Sequence, residues 1–384
     1  MADVIETVRA GINVVIGLPE HIPESLRSVI RSSMDDGERL SFEAIDVSSE
    51  KDLDPLGILF SRFVSDRRRR PALTCEDLCR EEAFAGKLVW IDGLSIDSWL
   101  GWRAFIEEYS HACRSLGIIF RTKICIVLRG ELALQPPKED VCLRNLAWKG
   151  KVSWYDIFLY TSIAFRNSAL PDLVKGTAIS ICSKLALWDP AVVDLLSQQD
   201  DTEKIFSPND ILKEISLSRN WYGDSQEGVK PCWHNGSLDF VDGYAQVHSA
   251  LLACLPDDRR VMNRLWSAQV GVILPFVEER RIELVEALAP FLKVPFTTRF
   301  GETIKDVRDL EIGHIELQLA NSDEGFDWDL LRFVGKLREM RNALAHGEPV
   351  ELAALESDEL MEYRRILKPF ERNFVEEAGS FPFS

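Results

Sequence analysis

One short segment near the end of the chain combines side chains that could act on a phosphodiester. The segment 341–346 contains Arg341, Asn342 and His346. Histidine transfers protons near pH 7, and arginine stabilises the negative charge of a phosphorane. Metal-independent RNA cleavage uses the ribose 2′-OH as an internal nucleophile, so positioning contributes much of the rate. Asn342 would orient either His346 or the scissile phosphate by hydrogen bonding.

The spacing of these residues restricts how they can meet. Residues five apart on an α-helix are rotated by about 500°, or about 140° after one full turn is removed. Arg341 and His346 therefore do not share a face of an unbroken helix, whereas Asn342 and His346 do. A site that uses all three residues requires a groove between helices or a second copy of the chain.

An ordinary structural role would also account for the three residues. Arg341 could pair with a nearby glutamate such as Glu348 or with another helix, and Asn342 could cap. His346 followed by Gly347 is typical of a helix C-terminus, where histidine interacts favourably with the helix dipole. The sequence leaves both readings open.

The composition is that of a globular protein with two or three domains. The chain has 384 residues, of which 46% are hydrophobic and 28% charged. No run approaches about 18 apolar residues, and the first residues lack a basic start followed by an apolar core. We therefore expect a cytoplasmic protein that has no membrane partner.

The net charge of −17 weighs against general nucleic-acid binding. A focused site remains possible because salt screens distant charges within roughly 8 Å. The only dense basic run, Arg67 to Arg70 before Pro71, is consistent with a solvated loop or with contact to nucleic acid or an acidic partner. The eight cysteines match no zinc spacing, so we expect neither a metal nor a cofactor.

The order of the predicted elements indicates three domains. Alternating apolar strands and helices over 1–135 predict an α/β domain with a parallel sheet. Residues 136–228 are predicted to be helical, and 229–384 to form a helical bundle. The predicted strands cover 12–17, 40–47, 88–92 and 123–128; the predicted helices cover 24–34, 55–64, 99–116, 239–255, 257–292 with a break at Pro275, 302–320, 327–346 and 357–374.

The first domain resembles the core of a P-loop NTPase of the AAA+ or STAND type. In that core one strand leads into a phosphate loop and a later strand ends in an acidic residue, as 88–92 does at Asp92. The phosphate loop is degenerate, because 17–25 contains two prolines without N–H donors and two glutamates that repel phosphate. We expect no NTP hydrolysis, and Asp92 either ends a buried strand or binds a metal.

The last 150 residues resemble the HEPN superfamily of small helical bundles. Its fingerprint is an arginine followed by a polar residue, with a histidine four to six intervening positions after the arginine. Arg341, Asn342 and His346 match it, with four positions between the arginine and the histidine. The segment 264–281 also resembles an early helix of HEPN bundles joined to NTPase modules.

The resemblance implies a metal-independent endoribonuclease with an RNA substrate and Arg341, Asn342 and His346 as catalytic residues. It also implies a homodimer through the C-terminal bundle, in which two motifs face each other. The implied setting is prokaryotic anti-phage defence or a toxin system, with an NTPase-like region that senses or scaffolds. The alternative is a non-catalytic scaffold subunit of a defence complex, with a pseudo-NTPase core and a HEPN-like dimerisation bundle.

Overall fold

The computed structural model describes residues 2–21, 27–28, 31–32, 41–50, 54–64, 73–222, 229–256, 259–323 and 325–371. The chain forms two compact units, one of residues 1–153 with 229–248 and one of 154–228 with 249–384. Contacts thus divide the chain differently from the predicted bounds at 135 and 228. The arginine run 67–70 and most of the predicted helix 24–34 lie outside the described residues.

The first unit is built on a parallel sheet, which confirms the predicted α/β class. Four described strands coincide with the predicted ones to within one residue at each end. A fifth strand, at 143–147, was not predicted and lies beyond the predicted domain boundary at 135. The sheet order is β2-β3-β4-β1-β5, and each neighbouring pair is parallel. The strands are β1 (Asn13–Leu18), β2 (Ser41–Asp46), β3 (Lys87–Asp92), β4 (Lys123–Arg129) and β5 (Leu143–Ala147).

Both faces of this sheet are covered, because alternate strand residues enter two separate cores. On one face Val89 and Ile126 belong to a core that includes Leu59 and Trp102, which lie on covering helices. On the other face the N-terminal helix contributes to a core with Trp90 and further strand residues. Burial on both faces explains why the strands are almost continuously apolar. The helices of this unit that the structure bounds within its described residues are α1 (Ala2–Arg9), α2 (Pro55–Phe63), α3 (Cys75–Arg80) and α4 (Ile96–Ala112).

A β-hairpin occupies much of the range that the sequence predicted as a helix from 239 to 255. Its strands are β6 (Leu238–Val241) and β7 (Tyr244–Val247), which pair antiparallel. The connecting residues Asp242 and Gly243 both have positive φ, at 49° and 86°. An Asp-Gly pair of this kind forms the two-residue turn that suits hairpin twist. The helical prediction was wrong for 239–248, and helix α10 covers only Ser249–Ala253.

The second unit consists mainly of helices, among the residues described. A two-stranded hairpin interrupts them, formed by β8 (Phe296–Thr297) and β9 (Thr303–Ile304). The helices are α5 (Trp154–Ala164), α6 (Asp172–Ala186), α7 (Pro190–Ser197), α8 (Glu203–Phe206), α9 (Asn209–Ser218), α10, α11 (Arg259–Leu288), α12 (Ile312–Ala320), α13 (Trp328–Ala345), α14 (Leu352–Leu355), α15 (Asp358–Met361) and α16 (Tyr363–Glu371).

Three predicted helix boundaries in this unit were wrong. Helix α11 continues through Pro275, where a break was predicted. A proline ring collides with the carbonyl four residues earlier; here that residue is Gly271, which is exposed and has open space around it. The predicted helix 302–320 begins only at Ile312, after β9 and a 3₁₀ turn, and the predicted helix 357–374 is divided between α15 and α16.

Helix α13 lies in the interior of the second unit and packs against α11 and α12. Its buried residues recur at helical spacing, so one face enters the core and the opposite face remains accessible. None of the described helices combines the length and apolar character that a membrane crossing requires. The buried residues of α13 are Leu330, Phe333, Val334, Leu337, Met340 and Leu344.

Candidate functional site

The three residues predicted to act in catalysis lie at the C-terminal end of α13. Arg341 and Asn342 belong to its last turn and are half-buried. His346 is the C-terminal cap, the first residue after the helix, and is exposed. The apolar stripe of α13 therefore positions the segment at the surface of the second unit.

A tight turn ends the helix immediately after His346. The Glu348 N–H donates to the Ala343 carbonyl at 2.9 Å, and the Gly347 N–H donates to the Leu344 carbonyl at 3.2 Å. This pair of bonds is the Schellman motif, which requires a left-handed residue that glycine adopts without strain. Gly347 has φ +81°. The predicted helix stop at this glycine is confirmed.

Two side chains of α11 hold this turn in place. The Trp266 indole N–H donates to the Leu344 carbonyl at 2.7 Å. Gln269 is buried, donates to the Val350 carbonyl at 2.8 Å and accepts from the Val350 N–H at 2.6 Å. Both residues lie in the segment 264–281 that the sequence singled out. The backbone around His346 is thus fixed from the core side.

The Arg341 guanidinium is held by a glutamate of a neighbouring helix. Its Nη2 lies 3.0 Å from Oε2 of Glu311, the residue before α12, and the two side chains are 43% and 61% exposed. Its Nη1 also donates to Asn342 Oδ1 at 3.5 Å. Of the pairings left open by the sequence, the structure shows one with another helix. An ion pair of this exposure contributes little stability.

His346 stands apart from the other two residues. Its imidazole makes no hydrogen bond to any residue that the structure describes. The Arg341 and Asn342 side chains bond to each other within one chain. Among the described residues neither side chain bonds to the His346 imidazole, although the His346 N–H donates to the Asn342 carbonyl at 3.0 Å. The arrangement offers one cation for an anionic group and, one turn later, one exposed proton carrier.

The second candidate group lies at the carboxyl edge of the sheet. Asp92, the last residue of β3, accepts N–H bonds from Arg129 Nη2 at 3.0 Å and Nε at 3.3 Å. It also accepts the Gly93 N–H at 2.8 Å. Arg129 ends β4, so the pair joins two neighbouring strand ends. These contacts support the structural reading of Asp92.

The P-loop resemblance implies a phosphate loop after β1. A turn from 232 to 236 contacts this region. The Glu20 N–H donates to the His234 carbonyl at 2.8 Å. The Trp233 ring lies beside Gly17, 3.6 Å from where a Cβ would project. The Glu20 amide is therefore engaged within the chain, while residues 22–25 lie outside the described ranges.

Neither a metal cluster nor a known relative supplies a further assignment. No group of three or more His, Cys, Asp or Glu residues in the described ranges could hold a metal ion. No protein-family model and no curated protein matches the chain. What this chain does must therefore be inferred from the chemistry of its own residues.

Proposed function

We propose that this protein is a HEPN-type metal-independent endoribonuclease whose catalytic residues are Arg341, Asn342 and His346. The observation that carries the proposal is the way α13 ends. An accessible guanidinium and an accessible imidazole stand on a turn that α11 holds rigidly. Rigid support of reacting groups is what catalysis by positioning requires.

Each residue has a role that its chemistry suits. His346 takes the proton of the ribose 2′-OH while the 2′-O–P bond forms and the P–O5′ bond breaks. Arg341 stabilises the charge that develops on the phosphorane, and Asn342 orients the phosphate or the imidazole. The departing O5′ takes a proton from water, and His346 returns the proton that it accepted to solvent. The products are a 2′,3′-cyclic phosphate and a 5′-OH, and the reaction needs no metal.

A second copy of the chain completes the site. No hydrogen bond joins the Arg341 and His346 side chains within one protomer among the described residues, so Arg341 of one copy and His346 of the other would act on one phosphate. A twofold axis through the C-terminal bundle gives that arrangement because it repeats the same surface on both subunits. The functional unit is accordingly a homodimer with RNA as its substrate.

The first unit fits a non-hydrolysing NTPase-like sensor or scaffold. The strand order, with β4 between β1 and β3, agrees with the resemblance to AAA+ and STAND cores. The engaged Glu20 amide and the carboxylates near β1 disfavour phosphate binding. The family resemblance supports a setting in a prokaryotic defence or toxin system with further protein partners.

Two observations favour the alternative of a non-catalytic scaffold subunit. Arg341 is engaged with Glu311, and Gly347 is explained by the helix stop alone. In that case the bundle serves as a dimer interface of a defence complex, and neither unit carries out chemistry. The experiment must therefore separate catalysis from folding.

The test incubates purified full-length protein with end-labelled structured RNAs in EDTA. Wild type is compared with Arg341→Ala, His346→Ala and the control Arg338→Ala. Arg338 is the matched control because it lies on the same helix and pairs with Glu316 of α12 at 2.6 Å. We expect Arg341→Ala and His346→Ala each to slow cleavage by about 100-fold or more, and Arg338→Ala to retain it.

The products and the control decide the outcome. Wild-type cleavage that leaves 2′,3′-cyclic phosphate ends supports the enzyme. Equal cleavage by all four proteins would eliminate the catalytic assignment, and an equal loss in Arg338→Ala would assign Arg341 a structural role. A dimer that shows no cleavage under any condition favours the scaffold.

A further inference from the structure

The turn that covers the end of β1 contains a cysteine and a histidine in contact. Cys232 Sγ lies 3.5 Å from His234 Nε2, and both side chains are half-buried. The other half-buried cysteines, Cys79 and Cys254, have no such bond to a histidine in the described chain. A thiol beside an imidazole is the arrangement that activates cysteine as a nucleophile.

Local hydrogen bonds hold this pair in position. The Cys232 N–H donates to Ser237 Oγ at 3.1 Å, and the Ser237 hydroxyl donates to Asn235 Oδ1 at 2.6 Å. From the other side, the Glu20 N–H donates to the His234 carbonyl. The turn is thereby anchored both to the β6 segment and to the end of β1. Side chains on such a turn are preorganised.

Trp233, which stands between the two residues in the sequence, has an indole N–H donor without an acceptor. Its indole Nε1 is buried and has no hydrogen-bond partner in the part of the chain that the structure describes. A buried unsatisfied N–H costs about 1–3 kcal/mol, so a bound oxygen that accepts from it would be stabilised. Trp90 and Trp102 in the cores also have unpartnered indole N–H groups among the described residues, but the Trp233 N–H belongs to the residue next to both Cys232 and His234. A ligand oxygen that accepts from it would satisfy this donor.

The surroundings restrict which ligand fits. Open α/β sheets bind ligands at the carboxyl ends of their strands, and the Trp233 ring lies beside Gly17 at that end of β1. The exposed carboxylate of Glu20 extends alongside Gly130, which follows β4. A negative charge at this position disfavours anionic groups. The edge therefore disfavours anionic ligands, and a neutral carbonyl compound is an electrophile that a thiol nucleophile can attack there.

We propose that Cys232 is a nucleophile that accepts an acyl group from a neutral thioester, with His234 as its base. The Cys232 proton passes to His234 Nε2 as the Sγ–C bond forms, and the carbonyl oxygen takes the electron pair. When that oxyanion collapses, the bond to the departing sulfur breaks and the leaving thiolate takes the proton from His234. The Trp233 N–H donates to the carbonyl oxygen. This site lies in the first unit and is separate from the segment 341–346.

The first experiment measures nucleophilicity in the full chain. Short pulses of iodoacetamide are followed by mass spectrometry of each cysteine in wild type and His234→Gln. We expect the substitution to slow Cys232 alkylation by about tenfold or more, while Cys79 and Cys254 react as in wild type. Cys79 is a slow reference because burial raises the pKa of its thiol to about 11. Unfolding curves of both proteins show whether the fold is retained.

The second experiment tests the ligand class with S-ethyl thioacetate. We expect acetylation of Cys232 in wild type and its loss in Cys232→Ser and His234→Gln. Trp233→Phe keeps the ring but removes the donor, so it should lower acetylation about tenfold or more. Cys232 alkylation no faster than that of Cys254, or unaffected by His234→Gln, would overturn the nucleophile. Histidine-dependent alkylation without acetylation would overturn the acyl acceptor.

Discussion

The two units each hold an arginine against a carboxylate, but they do so with different strength. At the sheet edge, Arg129 donates twice to Asp92, and the side chains are 40% and 22% exposed. At the end of α13, Arg341 meets Glu311 through one contact, and the partners are 43% and 61% exposed. Solvent screens the second pair much more than the first. We therefore expect the sheet-edge pair to stabilise the fold. We expect the helical pair to be weak enough for Arg341 to leave Glu311 and bind another anionic group.

The first prediction tests the support beneath Arg341, because an available arginine is useful only on a fixed backbone. Gln269→Met keeps the side-chain volume but removes both hydrogen bonds to Val350. A buried N–H and a buried carbonyl then lose their partners, which should lower the unfolding free energy by about 2–4 kcal/mol. Urea unfolding followed by circular dichroism measures this change.

Gln318→Met is the matched control for that change. Gln318 also bonds twice to one backbone residue, accepting from the Lys293 N–H and donating to its carbonyl, but at a more exposed position. Water can replace those bonds, so we expect a loss below about 1 kcal/mol. Similar losses in both variants would show that burial does not distinguish the two glutamines.

The second prediction measures the compared ion pairs directly by double-mutant cycles. For Asp92→Ala with Arg129→Ala we expect a coupling of about 1–2 kcal/mol, because the contact is two-pronged and partly shielded. For Glu311→Ala with Arg341→Ala we expect about 0.2–1 kcal/mol, falling further at high salt. Equal couplings would remove the contrast between the two regions.

The parallel sheet was predictable because its signal is local and redundant. The strands β1, β3 and β4 are short, nearly continuous apolar runs, β2 alternates, and the segments between the strands include stretches with helical spacing. β5 was missed because Leu143–Ala147 includes Arg144 and Asn145 and lacks an apolar run. The hairpin at 238–247 had a usable signal in Asp242 and Gly243, but apolar residues nearby also fit helical spacing.

The candidate sites were predictable only where the chemistry is close in sequence. The end of α13 could be read from His346 and Gly347, since capping depends on neighbouring residues. The Glu311 partner of Arg341 lies 30 residues away and is chosen by the packing of α12 on α13. The Cys232–His234 contact has a local signal in its Cys-x-His spacing, although that spacing matches no metal-ligand pattern.

The third prediction adds a carboxylate that is held by backbone groups. Asp239 is buried and accepts the N–H groups of Gly150 and Phe240. Burial raises its pKa above the ordinary 3.8 in spite of those bonds. The folded state therefore binds this proton more tightly than the unfolded state. This residue's contribution to stability falls as pH rises from the pKa of Asp239 in the unfolded state to its higher pKa in the folded state. Asp239→Asn should lack this fall.

Parallel urea titrations of wild type and Asp239→Asn from about pH 3.5 to about pH 7 measure the difference. We expect the unfolding free energy of the variant to gain on that of wild type as pH rises, and the gap to become constant once Asp239 is ionised in both states. A gap that does not change with pH would mean that backbone bonding offsets burial completely.

The smallest effect is expected from releasing Arg341 without altering its helix. Glu311→Gln removes the charge that holds the guanidinium, so an RNA phosphate no longer competes with a carboxylate. The ion pair contributes about 0.2–1 kcal/mol, which limits the gain in RNA affinity to about fivefold at low salt. Glu316→Gln is the matched control, because it removes an equal charge from the same helix but frees Arg338. Fluorescence anisotropy with a labelled RNA hairpin should show the larger gain for Glu311→Gln, and the gap should close as salt increases. Equal gains in the two variants would mean that lowering the net negative charge, rather than freeing Arg341, controls RNA binding. The contrast between the helical pair and the sheet-edge pair would then not affect RNA affinity.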